Sequence, residues 1–389
     1  MHYSMRGLAT AAIAVILGAC ASAPVNCPPA QPPVERVRYE HARWQDLPGW
    51  STDEVKESWP AFMKSCGAVG SRPEWSVVCA AARAVNPTTS AAARAFFEGN
   101  FEPYGVIKET GANRQSTGLI TGYYEPLLRG ARQRSAQFSA PLYAPPDDLL
   151  TVDLASVYPE LKGKRVRARL QGNKVIPYYS RADLDNGVSL QGKEIVWVES
   201  AIDAFVLQIQ GSGRVQLARG ETIRLQYADQ NGHPYQSIGR YLVDRGELPL
   251  EQAGIAAIRQ WLALHPERLH EVLNANPSVV FFREERLEDP APGPKGALGV
   301  PLTPGRSIAV DPASVPLGAP VFMATTYPAS AAPLQRLMNA QDTGGAIRGA
   351  VRADFFWGVG TEAGDQAGKM RQQGSLWVLW PKGAQLPNP

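Results

Sequence analysis

AQDTGGAIRGAVRADFFWG, residues 340–358, sets two aspartates, Asp342 and Asp354, on either side of a glycine-rich bend and follows the second with three aromatics. Residues 334–342 and 350–356 have strand texture, so each aspartate falls on a run that reads as a strand. Gly344 and Gly345 are expected to take left-handed backbone angles and let the chain approach a ligand closely. Phe355, Phe356 and Trp357 would desolvate the neighbouring carboxyl group and offer faces on which a sugar could stack. The combination points to carbohydrate acid–base chemistry. The plainer alternative is that Asp342 caps a turn and Asp354 ends a strand at the surface.

Outward from this segment the same texture continues through residues 307–310, 320–325 and 375–379. It is found again in residues 118–124, 166–170, 174–178, 195–198, 205–210 and 223–227, short runs separated by Gly, Asn and Asp turns that suggest an antiparallel barrel or sheet. Residues 50–69, 90–97, 234–244 and 250–265 read as helices, and Pro266 is placed to open another. A Pro/Gly hinge spans 288–296. A chain of 389 residues is expected to split into two domains. The simplest partition makes 36–125 and 286–389 one discontinuous domain around an insertion, 126–285, with the cleft between them as the default ligand site.

The chain opens with Arg6, an apolar run at 9–17, then Gly18, Ala19 and Cys20. That is the pattern of a signal peptide, 1–20, and falls far short of the roughly 20 apolar residues of a spanning helix. Cys after small residues resembles a lipoprotein processing site, so Cys20 is expected to be lipidated and residues 21–35 to serve as a Pro-rich tether. Ala21, where an aspartate would retain the protein at the inner membrane, favours the periplasmic face of the outer membrane. In an oxidising compartment thiols pair, and Cys66 with Cys79 is the natural couple, leaving Cys27 in the tether. Histidines and cysteines show no metal-ligand spacing, so neither metal nor cofactor is expected. The formal net charge of +3 is too small for electrostatic nucleic-acid binding. GVGTEAG at 358–364 departs from the dinucleotide-binding glycine spacing, with no strand–helix–strand unit after it.

Four stretches occur together and in order: TGYYEP at 121–126, VLQIQGSGRV at 206–215, NGHPYQSIGRYLVDRGELP at 231–249, and AQDTGGAIRG with RADFFWGVG within 340–360. In these the chain resembles the membrane-bound lytic murein transglycosylase A family. The resemblance implies a mainly β fold with helices: a double-psi β-barrel in the discontinuous domain, a smaller antiparallel β-barrel inserted, and a substrate groove between them. It implies a lytic transglycosylase that cuts the MurNAc–GlcNAc β-1,4 linkage of peptidoglycan and leaves 1,6-anhydro-MurNAc ends. Glycan strands and a lipid anchor are then the partners of a monomer, with cell-wall synthesis or division complexes as further candidates.

Glycosidic cleavage usually takes two carboxyl groups. A lytic transglycosylase needs one, because the muramic C6 hydroxyl attacks the anomeric carbon and the same residue acts as acid and then base. An aspartate with an ordinary pKa near 3.9 must be raised to do this near neutrality. Asp354 suits the acid/base role, since strand alternation puts Phe356 on its side and Phe355 on the other. Asp342 is the expected like-charge neighbour, raising Asp354 and stabilising positive charge at the anomeric carbon. Arg348 and Arg352 argue against that unless they face away. Gln210, Gly211, Ser212, Gly213, Thr121, Gly122 and Tyr123 are substrate-contact candidates beside Gly344 and Gly345, on the strength of the resemblance. As bare patterns the first four suit a hairpin turn and a tyrosine could merely fill the core; Tyr227, Asn231, Tyr235 and Ser237 are similar. A water-using muramidase with Asp342 as base, or a non-catalytic glycan-binding lipoprotein, are the rival readings.

The Pro-rich tether carries no packing pattern, so it should order nothing in the folded region. Cys20→Ser should therefore block lipidation, and the chain from about Val34 onward should be soluble and still act on isolated sacculi. A folded but inactive soluble form would show that the membrane or a partner completes the site.

Overall fold

The strands of the last third of the chain close around strands from the first third. The computed structural model describes residues 35–162, 164–188, 190–218, 220–287 and 293–387. The leader, Cys20, Cys27, the tether up to residue 34 and the first half of the 288–296 hinge lie outside the described residues. A nine-stranded sheet runs in the order Glu35–His41, Phe101–Thr110, Arg371–Pro381, Pro320–Thr326, Pro333–Asp342, Ser307–Val310, Ala353–Val359, Gly118–Glu125, with Asn113–Gln115 on Phe101–Thr110. Arg371–Pro381 also pairs with Gly118–Glu125, so six of these strands close into a barrel. Two joints of the barrel are parallel: Ser307–Val310 with Pro333–Asp342, and Ala353–Val359 with Gly118–Glu125.

Helices Trp59–Val69, Pro73–Arg83 and Ser90–Asn100 lay their buried faces on this barrel. Trp75, Phe62, Phe97 and Phe101 are fully buried there, and the Trp75 ring meets Trp380 edge-on at 5.2 Å. Burial of such rings is the main stabilising term, roughly 1.5–3 kcal/mol for each large apolar side chain. Cys66 and Cys79 are bonded across the first two helices, their Cα atoms 5.3 Å apart.

A six-stranded sheet, in the order Val280–Arg286, Thr222–Gln230, Ser212–Leu217, Leu127–Ala131, Glu194–Val198, Ala140–Tyr143, has its own apolar core. It is antiparallel except where Leu127–Ala131 runs parallel to Ser212–Leu217. Helices Ala201–Gln210, Ile238–Asp244, Ile255–Leu264 and Leu269–Asn274 share a second cluster around Phe205, Leu242 and Val272. A three-stranded sheet, Leu150–Thr151, Arg167–Gln171 and Lys174–Pro177, completes this part. No helix among the described residues is long and apolar enough to cross a membrane.

Several elements differ from the sequence reading. Residues 205–210 form the C-terminal part of helix Ala201–Gln210, not a strand. A short, mostly apolar run such as FVLQIQ cannot be assigned by period; Asp203 in the first turn and Gly211 at φ +77° past the end mark a helix. The helix expected from residue 50 starts at Trp59, because Pro60 suits the first turn and residues 49–53 form turns. The Gly360–Lys369 helix and the Glu35–His41 and Phe101–Thr110 strands had no counterpart in the reading.

The bridge closes a short loop, for which chain entropy gives roughly 3 kcal/mol. Peptide mapping without reduction should recover a linked Cys66–Cys79 peptide, and Cys66→Ser with Cys79→Ser should lower unfolding stability by about that amount. Free labelling of both thiols in the native exported protein would remove the bridge from the account.

Candidate active site

Register across the barrel assembles the site. In the ladder Asp342 pairs with Ala309, Ala309 with Asp354, and Asp354 with Thr121. Residues paired across neighbouring strands share a face, so Asp342, the small Ala309, Asp354 and Thr121 form one transverse row over four strands. At roughly 4.8 Å per strand the two aspartate backbones stand about 10 Å apart. Two residues on, Phe356 and Tyr123 lie on the same face, ring centroids 5.2 Å apart, packed in one cluster with Leu302, Ile347 and the row's own Ala309.

The two carboxyl groups have unequal surroundings. Asp342 accepts from the backbone N–H groups of Ala297 and Thr343, each at 2.9 Å, and from the Tyr123 hydroxyl at 3.1 Å. Burial nevertheless pushes it up to about 6, the three donors pull it down, and the Asp354 charge adds to the rise. Asp354 accepts from the Thr121 hydroxyl at 2.5 Å. Burial raises its pKa, while Thr121 and the Arg352 guanidinium oppose the rise. The repulsion between the carboxyls is a single interaction and raises whichever loses its proton second. Burial and both carboxylates push the Tyr123 phenol far up, so it stays a hydrogen-bond donor.

Arg352 lies within the site: its Nη2 donates to Thr121 Oγ1 at 2.9 Å and its Nη1 to the carbonyls of Ala353 and Leu119. Arg348 is exposed and pairs with Asp311 at 3.6 Å. The aromatic triplet provides no open stacking platform. Phe356 is fully buried, Phe355 belongs to the main core, and Trp357 packs on Phe355 at 4.8 Å with its Nε1 donating to Met370. Gly344 and Gly345 do not take left-handed angles; Gly349 and Gly358 of this segment do, at φ +104° and +119°.

The other candidates sit as follows. A Cβ on Gly122 would lie 2.6 Å from Trp357 Nε1 and 2.9 Å from Ala367 Cα, so that glycine permits close packing. Gln210 accepts from the Tyr124 N–H at 3.1 Å, which ties helix Ala201–Gln210 to the strand of Thr121. Gly211 caps that helix, Ser212 is buried, and Gly213 faces Leu207, where a Cβ would come to 2.5 Å. Asn231 holds the Tyr179 and Pro277 carbonyls, Ser237 caps helix Ile238–Asp244, the Tyr227 ring lies beside Arg165, and Tyr235 is exposed. The reading missed the donor at Ala297. Gly296 before it would place a Cβ 2.5 Å from the Gln341 carbonyl, so glycine in that hinge is the signal of a close approach.

Residues 119–283 match the MltA specific insert domain and residues 306–380 the 3D domain. The membrane-bound lytic murein transglycosylase A of Escherichia coli K12 is 33% identical over 289 residues, 72% of this chain and 71% of its own length. Among solved structures, MltA from Neisseria gonorrhoeae is similar with a TM-score of 0.78 at 36% identity, covering 93% of this chain and 98% of that one. Escherichia coli MltA with bound chitohexaose has a TM-score of 0.65 at 26% identity, covering 90% and 95%. Thr121 of the row falls within the first matched segment and Ala309, Asp342 and Asp354 within the second, so the row is built from both.

Proposed function

The chain belongs to the membrane-bound lytic murein transglycosylase A family, and from that premise we propose that it cuts the MurNAc–GlcNAc β-1,4 linkage with Asp354 as acid and then base. The enzyme is a peptidoglycan lytic transglycosylase. The observation that carries the finer reading is the inequality of the two carboxyl groups. Burial raises both, Asp342 to about 6; Asp342 is engaged by three donors, whereas Asp354 has one hydroxyl donor on Oδ1 and, among the described residues, no partner on Oδ2, and on that accessible oxygen we assign it as the proton carrier.

Asp354 gives its proton to the glycosidic oxygen as the bond to the anomeric carbon breaks, its electron pair leaving with the GlcNAc O4. The Asp342 carboxylate stabilises the positive charge that develops at that carbon. The Asp354 carboxylate then takes the proton of the C6 hydroxyl as O6 attacks, closing the 1,6-anhydro ring without water. The glycan lies in a groove between the discontinuous domain, 36–125 with 286–389, and the insertion, 126–285, and the enzyme is held at the outer membrane by lipid on Cys20. The bound chitohexaose of the Escherichia coli relative supports a glycan-strand substrate. A backbone spacing of about 10 Å would also suit a carboxyl pair that activates a water, so the products decide between the two outcomes.

Purified sacculi digested by the enzyme should yield anhydro ends, lighter by one water than the reducing ends of hydrolysis. Asp354→Asn should keep the fold and glycan binding yet lose about 100 to 10,000-fold in turnover; wild-type activity would overturn the assignment. In this reading Asp342 loses its proton first and its charge then raises Asp354, so Asp342→Asn should move the alkaline limb of the pH profile to lower pH. An unchanged limb would mean that the two carboxyls do not communicate.

A further inference from the structure

We infer that Thr121 and Arg352 are positioning residues that place the transferable proton of Asp354 on Oδ2. This rests on the reading of Asp354 as the acid and extends it to the choice of oxygen. A threonine hydroxyl has one hydrogen and two lone pairs, whereas a guanidinium only donates. The Arg352 Nη2 donates to Thr121 Oγ1 at 2.9 Å and so occupies a lone pair on the side of the cation. The hydroxyl hydrogen is turned away from that charge, and Asp354 Oδ1 at 2.5 Å is its acceptor. The nearby carbonyls of Leu119 and Ala353 are engaged by Arg352 Nη1. Oδ1 is thereby held as an acceptor in both protonation states, and a proton on Asp354 must sit on Oδ2. Among the described residues Oδ2 has no hydrogen-bond partner, which leaves it to the glycosidic oxygen.

Arg352 is itself fixed through its two backbone carbonyl bonds, so the relay from guanidinium to hydroxyl to carboxyl has little rotational freedom. The charged and titratable groups that bear on Asp354 are Arg352 on its own segment, Asp342 two strands away, Tyr123 on the neighbouring strand, and the exposed Arg371, which pairs with Thr121 in the ladder on the other side. Ala309 separates Asp354 from Asp342 without adding charge. Arg352 thus acts in two ways: its charge lowers the proton affinity of Asp354, and its bond to Thr121 aims the hydroxyl.

The test compares Thr121→Val, Thr121→Ser and Arg352→Met with Asp354→Asn in the intact chain, using kcat and KM on sacculi across pH and the carbon-13 titration of the Asp354 carboxyl. Thr121→Val removes the donor to the anion. Its alkaline limb and the Asp354 titration should both move to higher pH, with kcat falling about tenfold and KM little changed. Thr121→Ser should restore both, and Arg352→Met should move the titration in the same direction. The carboxyl titration is read without turnover; because loss of the Arg352 charge by itself also raises it, the decision rests on the Thr121 variants, with Thr121→Ala taking the place of Thr121→Val if the latter does not fold. An unmoved titration in the Thr121 variant that lacks the hydroxyl, a loss in KM alone, or failure of serine to restore the profile would overturn the inference. Activity retained in Asp354→Asn would instead overturn the reading on which it rests.

Discussion

The parallel pairing of Ala353–Val359 with Gly118–Glu125 is the constraint on which the site depends. Side chains alternate along a strand, so a slip of one residue would turn Asp354 and Phe356 to the opposite face and bring Phe355 beside Thr121. The register that prevents this sets Asp354 against Thr121, Phe355 against Gly122 and Phe356 against Tyr123. It is tied down from both faces. On one, Phe356 and Tyr123 pack with Leu302 and Ile347; on the other, Gly122 leaves the space that Trp357 and helix Gly360–Lys369 fill. The site's glycine and its aromatics thus act through packing, not through contact with a ligand.

The same strand carries the link to the rest of the molecule. At its end Glu125 is wholly buried and accepts from Arg214 Nε at 2.9 Å and Arg224 Nε at 2.6 Å, both on strands of the six-stranded sheet. Burying these charges is costly, and removing one partner of such a group typically destabilises by about 3–5 kcal/mol, because the charge left behind cannot regain water. The arrangement is therefore weak evidence of net stability and strong evidence of a specified geometry. It seats the six-stranded sheet against the strand that bears Thr121 and Tyr123, and Gln210 adds a neutral tie from helix Ala201–Gln210. The strand Gly118–Glu125 thus carries both Thr121, bonded to Asp354, and the tie to the six-stranded sheet.

Short-range chemistry was legible in the chain. Two aspartates around a glycine bend, each on a run of strand texture, marked a pair of neighbouring carboxyls, and the alternation rule assigned Phe356 to the face of Asp354, where it lies against Tyr123. Texture alone located the strands of the barrel to within a few residues. It failed at residues 205–210, where a short, mostly apolar run ending in alternating Gln208, Ile209 and Gln210 also fits a strand, and at Gly344 and Gly345, where flexibility was mistaken for a left-handed requirement. The aromatic triplet was credited with stacking surface because a sequence does not show that Phe356 ends with none of it exposed.

Residue types, their local order and the resemblance determined the kind of protein, the kind of chemistry and which aspartates to consider. Tertiary structure alone decided what each carboxyl group feels. Thr121 and Asp354 are separated by 233 positions, and Asp342 meets Tyr123 across 219. Such contacts follow from strand order and parallel register, which no periodicity within a segment encodes. The two carboxyl groups differ in their hydrogen-bond partners, and those partners exist only once distant strands have closed the barrel.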